Sequence, residues 1–170
     1  GVAPEVAAKG LTKFSGVKRR QTLIVDGDIK VIEDFAHHPT AVKETLKGIR
    51  ESYPTSRIVA CFEPRSNTSR RAIFQEDYTK SFDSADIAYI MAPQMPLGYS
   101  KFSESSKEMD SAKLVSDIST RISEAKLFSD YDKLLESIIE IAQPGDVFLL
   151  MSNGDFGGLP QKCKQAWENS

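Results

Sequence analysis

Short apolar runs that alternate with helical patterns constrain the fold of this chain more than any other feature. The strand-like runs are Ile29–Glu33, Arg57–Phe62, Asp86–Met91 and Asp146–Met151. Apolar residues at helical spacing lie between the first two, at Val42, Leu46 and Ile49. Buried strands that alternate with helices are typical of parallel pairing through right-handed crossovers. The sequence therefore predicts an α/β, Rossmann-like domain with a mostly parallel sheet and helices on both faces.

The amino-terminal part of the chain adds a β-hairpin to this pattern. Residues 21–25 and 29–33 are strand-like and flank an Asp-Gly-Asp turn, in which Asp-Gly is a favoured pair. Before the hairpin, Pro4–Lys9 is predicted to form one short helical turn, followed by Gly10 and a connector that ends near Val17.

Weaker patterns occupy the rest of the chain. Helices are predicted over 72–81, 111–122 and 160–168, and another over 131–139 is capped by Asp130. A short strand is predicted near 125–128. Residues 92–109 are rich in Pro, Gly and Ser, so an irregular segment is expected there.

Composition excludes several classes of function. The 170 residues carry a net charge of −2 without a block of like charge, so nucleic-acid binding is not expected. No apolar run approaches the roughly 20 residues of a membrane helix, so a membrane partner is not expected either. Cys61 and Cys163 lack metal-ligand spacing, and Cys61 is predicted to be an inert core thiol in a cytosolic, reducing setting.

Polar segments of unusual composition follow the predicted strands. They are Asp34–His38, Glu63–Arg71, Ala92–Gly98 and Ser152–Gly158. In open α/β sheets, ligands bind beyond the carboxyl ends of the strands. The coincidence of these segments with the strand ends predicts a ligand site there.

The octet Glu33-Asp-Phe-Ala-His-His-Pro-Thr is the most distinctive of these segments. Proline suits the first helical position, and the free N–H groups of that turn suit a phosphate or carboxylate. Asp34, His37 and His38 add polar groups that can bind a ligand. The alternative is that the histidines only cap the helix or lie satisfied in the core. A metal site is disfavoured because no Cys or carboxylate cluster completes a ligand set.

Two further segments allow both a functional and a simple structural interpretation. The loop Glu63–Arg71 contains three arginines, which match carboxylates and phosphates, but it also fits a solvated loop. The glycines of Ser152–Gly158 allow close approach to a ligand, but they also fit a plain strand-to-helix turn. Arg19 and Arg20 fit surface charge. The chain contains no dinucleotide fingerprint, phosphate loop or recognisable nucleophilic triad.

Several of these motifs together resemble one known family. Phe14-Ser-Gly-Val-Lys-Arg-Arg and the octet after Ile32 resemble the start of the C-terminal domain of the Mur ligases of bacterial cell-wall synthesis. Phe62-Glu-Pro-Arg-Ser-Asn-Thr-Ser-Arg-Arg and Ser152-Asn-Gly-Asp-Phe-Gly-Gly resemble the murein peptide ligases within that family. The chain lacks the Asp-Asn-Pro-Arg signature of the diaminopimelate-adding relatives. The resemblance implies that residues 1–16 are the end of the central ATPase domain and its linker, and that 17–170 are the C-terminal domain.

The resemblance also implies an activity and its partners. The full-length enzyme is expected to join UDP-N-acetylmuramate to the murein tripeptide L-alanyl-γ-D-glutamyl-meso-diaminopimelate in cytoplasmic peptidoglycan recycling. ATP would activate the sugar carboxylate as an acyl phosphate, and the tripeptide amine would displace phosphate. Mg2+ ligands are expected in the central domain. The partners would be these two substrates and the protein's own N-terminal and central domains, and the isolated domain is expected to be inactive.

The same resemblance implies roles for individual residues. Arg20 would reach the nucleotide phosphates, Asp34 would contact the ribose, and Phe35 and His37 would border the adenine. Ser152 matches a position that contacts the incoming substrate, and its neighbour Asn153 is assigned with it. For the tripeptide carboxylates we assign three residues on chemical grounds: Arg65, Asn67 and Arg70.

Three alternatives remain at this stage. The chain can belong to the related ligase that adds L-alanine to the same nucleotide sugar. It can be a stand-alone nucleotide- or anion-binding module. It can also be a metal hydrolase that uses His37 and His38.

Overall fold

The computed structural model describes residues 1–11, 17–65, 71–93 and 108–168 of the chain. Within these ranges the strands are β1 (Thr22–Asp26), β2 (Lys30–Asp34), β3 (Ile58–Glu63), β4 (Ile87–Met91), β5 (Glu124–Phe128) and β6 (Val147–Ser152). The α-helices are α1 (Pro4–Leu11), α2 (Pro39–Ser52), α3 (Gln75–Ser81), α4 (Ser111–Ser119), α5 (Tyr131–Ile141) and α6 (Leu159–Trp167).

One mixed sheet organises the domain, with the strand order β1-β2-β6-β3-β4-β5. The β1–β2 hairpin is antiparallel, and every other pairing in the sheet is parallel. The predicted Rossmann-like fold with an N-terminal hairpin is therefore confirmed. The last strand in the sequence, β6, lies between β2 and β3, so the carboxyl ends of these three strands are neighbours.

The sheet separates two hydrophobic cores, as expected for strands whose alternate side chains point to opposite faces. On one face, sheet residues such as Ala60 and Leu149 pack with α2, α3 and α4. On the other face, residues such as Cys61 and Phe148 pack with α5 and α6. The prediction of helices on both faces is confirmed. Cys61 is fully buried, and burial raises the pKa of its thiol, which agrees with an inert core residue.

Element boundaries differ from the sequence predictions in a few places. The first helix continues through Gly10 to Leu11 instead of ending at Lys9. The helix predicted over 111–122 ends at Ser119, because the backbone N–H of the next residue, Thr120, bonds back to Asp117 and closes the last turn. The predicted helix 72–81 opens with a 3-10 turn at Ala72–Phe74. Most of the expected irregular segment 92–109 lies outside the described residues.

Two arginines hold the opposite, amino-terminal end of the sheet. Arg57 was predicted inside a strand, but it precedes β3 and pairs with Asp146, which is 3% exposed. Arg50 of α2 pairs with Asp86 at 2.6 Å. None of the described helices is long and apolar enough to cross a membrane.

Candidate functional site

Three of the four polar segments meet at the carboxyl ends of neighbouring strands. Asp34 ends β2, Ser152 ends β6 and Glu63 ends β3, and the pairing register places Met151 opposite both Asp34 and Phe62. The fourth segment follows β4, but only its first two residues, 92 and 93, are described. The predicted convergence is therefore present for the three central strands.

Asp34 holds the turn between β2 and α2. Its carboxylate is 3% exposed and accepts hydrogen bonds from Ala36 N at 2.7 Å and from Gln21 N at 2.9 Å. These bonds tie the turn to the segment that precedes β1. The contact between Asp34 and a ribose stays a prediction, to which the structure adds this organising role.

The two histidines have different surroundings. The backbone of His38 occupies the N-cap of α2, and its ring accepts a 3.4 Å contact from Thr40 N, while Pro39 takes the first helical position. The ring of His37 lies edge-on to Phe35, with centroids 5.2 Å apart. His38 thus agrees with the capping interpretation, and His37 lies beside the aromatic ring expected to border adenine. The described residues contain no group of three potential metal ligands.

Two guanidinium groups lie over the ring of Phe35. The Cζ atoms of Arg19 and Arg20 are each 5.4 Å from the ring centroid, within the range of cation–π attraction. Arg20 is exposed, so its charge can meet an anion from solvent. Arg20 therefore places an exposed positive charge beside Phe35, and this is the residue that the resemblance predicts to contact the nucleotide phosphates.

Arg19 is not the surface charge that its sequence context suggests. Its Nε donates to Glu33 at 2.8 Å, and its Nη2 donates to the carbonyl oxygens of Ser152, at 2.9 Å, and of Gly154. This residue was missed because backbone carbonyls at the far end of the chain leave no motif. The side chain joins the segment before β1 to the turn after β6.

A buried acid lies beneath that turn. Glu63 is 1% exposed, and its carboxylate accepts hydrogen bonds from the hydroxyls of Ser152 and Tyr131. Burial, followed by the adjacent Glu63 carboxylate, raises the pKa of Tyr131 and keeps its phenol a donor. Sequence reasoning assigned no role to Glu63, although an acid at the end of an apolar strand was an available signal.

The turn after β6 also contacts Arg65. The guanidinium of Arg65 pairs with Asp155, which raises the pKa of Arg65 and lowers the pKa of Asp155. The Arg65 side chain lies against Gly154 so closely that a Cβ there would be 2.4 Å from Arg65 Cδ. A side chain at position 154 would therefore clash with Arg65, which explains the glycine there.

Two of the other four residues predicted to contact the substrate, Ser152 and Asn153, lie among the described residues. Asn153 has a buried Oδ1 with no donor among the described residues. Ser152 is 2% exposed, and its hydroxyl donates to Glu63 and accepts from Gly154 N at 2.9 Å, so it shapes the turn. Asn67 and Arg70 lie outside the described residues.

The resulting site combines cations with fixed backbone geometry. Arg20 lies at the β2 side and Arg65 at the β3 side, and the β6 turn with Asn153 lies between them. Arginine forks bind phosphate and carboxylate oxygens through paired hydrogen bonds. The arrangement places an exposed cation, Arg20, and a second cation that is paired with Asp155, Arg65, on either side of one polar turn, so an anion bound at Arg65 would share it with Asp155.

Comparison with known proteins identifies relatives with this fold. The family model described as Mur ligase, glutamate ligase domain, matches residues 19–154. The UDP-N-acetylmuramate–L-alanyl-γ-D-glutamyl-meso-2,6-diaminoheptandioate ligase of Escherichia coli is 36% identical over 95% of this chain and 33% of its own length. The UDP-N-acetylmuramate–L-alanine ligase of Rhizobium etli is 35% identical over 91% of this chain and 32% of its own length.

A solved structure gives the same result. The crystal structure of a murein peptide ligase from Psychrobacter arcticus matches 100% of this chain and 34% of that chain, with a TM-score of 0.74 and 33% identity. The chain thus spans about a third of the length of the relatives that it matches. The motifs, the sheet order and these matches agree, and they show that the chain belongs to the Mur ligase, glutamate ligase domain family, with a murein peptide ligase among its similar structures.

Proposed function

We propose that this chain is the C-terminal, substrate-receiving and ATP-closing domain of an ATP-dependent amide-forming ligase. The full-length enzyme joins UDP-N-acetylmuramate to the tripeptide L-alanyl-γ-D-glutamyl-meso-diaminopimelate in the cytoplasm. Residues 1–16 form the end of the central ATPase domain and its linker, and the described α1 is part of that remnant. The E. coli relative, whose name states these substrates, supports the proposal.

The observation that carries the proposal is the pair of arginines on opposite sides of the β6 turn. Phosphoryl transfer and amide formation both develop negative charge, which positioned cations stabilise. Arg20, held over Phe35, faces the nucleotide phosphates after domain closure, and His37 with Phe35 borders the base. Asp34 contacts the ribose or positions the turn that does.

The acceptor side of the site is assigned to the β6 turn and the β3 loop. Arg65, with Asn67 and Arg70 beyond the described residues, binds the carboxylates of the tripeptide. The Oδ1 of Asn153, which has no donor among the described residues, accepts a hydrogen bond from the incoming amine. Ser152 holds the turn that carries Asn153.

ATP supplies the activation of the sugar carboxylate, and magnesium would balance the charge of its phosphates. We assign the magnesium ligands to the central domain, as the family resemblance implies.

The full-length protein tests this function directly. We expect it to form the tripeptide product from UDP-N-acetylmuramate and ATP, measured by chromatography of the UDP-linked species. The 170-residue chain is expected to give no product under the same conditions. Turnover by that chain alone, or no turnover by the full-length protein, would contradict the proposal.

A second candidate is the ligase that adds L-alanine to the same nucleotide sugar. The Rhizobium etli relative, which carries that name, supports it at nearly the same identity. Parallel assays with L-alanine and with tripeptide separate the two candidates. We expect kcat/KM to favour the tripeptide, and a preference for L-alanine would select the second candidate.

A further inference from the structure

We propose that Arg19 is a positioning residue that holds the β6 turn, Ser152–Asp155, against the segment before β1, Val17–Gln21. Arg19 thereby fixes the position of Arg20, which is expected to contact the nucleotide, relative to the side-chain amide of Asn153, which is expected to contact the acceptor. Arg19 contacts neither substrate in this proposal. The kinetic half of the test rests on the proposed function, and the structural half does not.

The side chain of Arg19 connects β2 to the β6 turn through hydrogen bonds. Its guanidinium donates to three acceptors, which are Glu33 on β2, the carbonyl of Ser152 at the end of β6 and the carbonyl of Gly154 after it. The two carbonyls belong to one turn and converge on the same Nη2 atom. A planar fork makes this contact, which a single ammonium group on a flexible stem cannot reproduce with the same geometry.

The backbone of the segment before β1 is also held in a fixed conformation. Arg19 and Gln21 have φ angles of 60° and 47°, a region that side-chain-bearing residues rarely adopt. Two bonds hold this conformation: Arg19 N donates to Thr22 Oγ1, and Gln21 N donates to Asp34 Oδ2, both at 2.9 Å. The segment is thus fixed to the sheet on both sides of Arg20.

The β6 turn is held by further hydrogen bonds that do not involve Arg19. The Ser152 hydroxyl donates to Glu63, and the N–H of Gly154 donates to the Ser152 hydroxyl. Arg19 donates to the carbonyls of the same two residues. Asn153 lies between two residues that each make two of these hydrogen bonds, so its backbone is held on both sides.

These contacts predict different roles for the two adjacent arginines. Both guanidinium groups lie over Phe35, but Arg20 is exposed and therefore available to a ligand. The guanidinium of Arg19 is instead hydrogen-bonded to Glu33 and to the turn. Removing the fork of Arg19 should loosen the turn while the bond between Gln21 and Asp34 still holds the backbone around Arg20.

Amide hydrogen exchange of the 170-residue chain tests the structural half. In Arg19→Lys, we expect the Gly154 amide to exchange about tenfold faster relative to the core amide of Leu149. Arg121→Lys is the matched control, since Arg121 makes a two-bond contact to Asp83 far from the site in the sequence. General destabilisation would accelerate both amides together. An unchanged ratio in Arg19→Lys, or the same change in the control, would overturn the proposal.

Kinetics of the full-length protein test the functional half. We expect Arg19→Lys to raise the acceptor KM by about tenfold, with the ATP KM changed by less than about twofold. Equal increases in both constants would overturn the positioning role, because Arg19 would then act on the nucleotide. Absence of turnover in the unsubstituted protein would contradict the proposed ligase function, and the exchange ratio would still decide the role of Arg19.

Discussion

The hydroxyl of Ser152 donates a hydrogen bond to the carboxylate of Glu63 across the β6–β3 boundary. The two residues are paired in the sheet register, and both are almost fully buried. The same hydroxyl accepts from Gly154 N at 2.9 Å. A buried polar link between two strand ends therefore determines the shape of the turn that the proposed function assigns to the acceptor.

Ser152→Ala is expected to destabilise the domain. The substitution leaves a Glu63 oxygen and the Gly154 N–H without their partner, which costs about 1–3 kcal/mol in the free energy of unfolding. Urea denaturation monitored by circular dichroism measures the effect. Ser119→Ala is the control, because its exposed hydroxyl donates to the Val115 carbonyl within α4, and we expect a change below about 0.5 kcal/mol. Equal effects of the two substitutions would contradict the role of the link.

Tyr131→Phe is expected to show a pH-dependent loss of stability. Near neutral pH it removes a donor to Glu63, at a cost of about 1–2 kcal/mol. The raised pKa of Tyr131 gives stability that is present below the usual tyrosine value of about 10 and is lost as pH rises.

The difference between Tyr131→Phe and the unsubstituted chain should therefore narrow above pH about 10. Urea unfolding at several pH values measures it, and a difference that widened in alkali would contradict the assignment. The same series on Tyr53→Phe provides a control for a tyrosine that makes no contact with Glu63.

Gly157→Ala is expected to be more damaging than Gly145→Ala. Both glycines have positive φ angles, 59° and 92°. A Cβ on Gly157 would lie 2.4 Å from Tyr131 Cγ, whereas a Cβ on Gly145 would have no atom within 4 Å. We expect about 2–4 kcal/mol for Gly157→Ala and about 1 kcal/mol for Gly145→Ala. Thermal unfolding of both variants measures this, and equal losses would show that Tyr131 moves away freely.

Asp34→Ala is expected to affect nucleotide use and stability together. It removes both acceptors that hold the Gln21 and Ala36 N–H groups, so the segment carrying Arg20 loses one of the two bonds that fix it to the sheet. In the full-length protein we expect the ATP KM to rise by about tenfold or more. Asp130→Ala, which removes a helix cap on α5, is a control for general destabilisation. An unchanged ATP KM in Asp34→Ala would remove the residue from the nucleotide side.

The sequence predicted the fold well where apolar periodicity was strong. The strands β3, β4 and β6 and the helix α2 follow directly from such patterns. The convergence of three polar segments follows from the parallel pairing of the strands that precede them. That a ligand binds there stays a prediction. Asp130 was identified because a capping residue acts on its own helix.

The contacts within the site were less predictable. Arg19 donates to backbone carbonyls. Because every residue has a backbone carbonyl, the sequence does not indicate which residues are its partners. Glu63 and Ser152 meet only because β6 inserts next to β3, which is a pairing between distant segments. Local patterns predict which segments end at the site, but pairing between remote strands decides which side chains touch.

The central position of β6 has a consequence for how the chain acquires its structure. Until residues near Val147 are available, β2 and β3 lack the strand that joins them, and each has an unpaired inner edge. Arg19 finds its carbonyl partner 133 residues later in the chain. Closure over such a distance is slow compared with local contacts. The site should therefore be among the last parts of the domain to form, and a nascent chain that stalls before β6 would present two open strand edges to the cell.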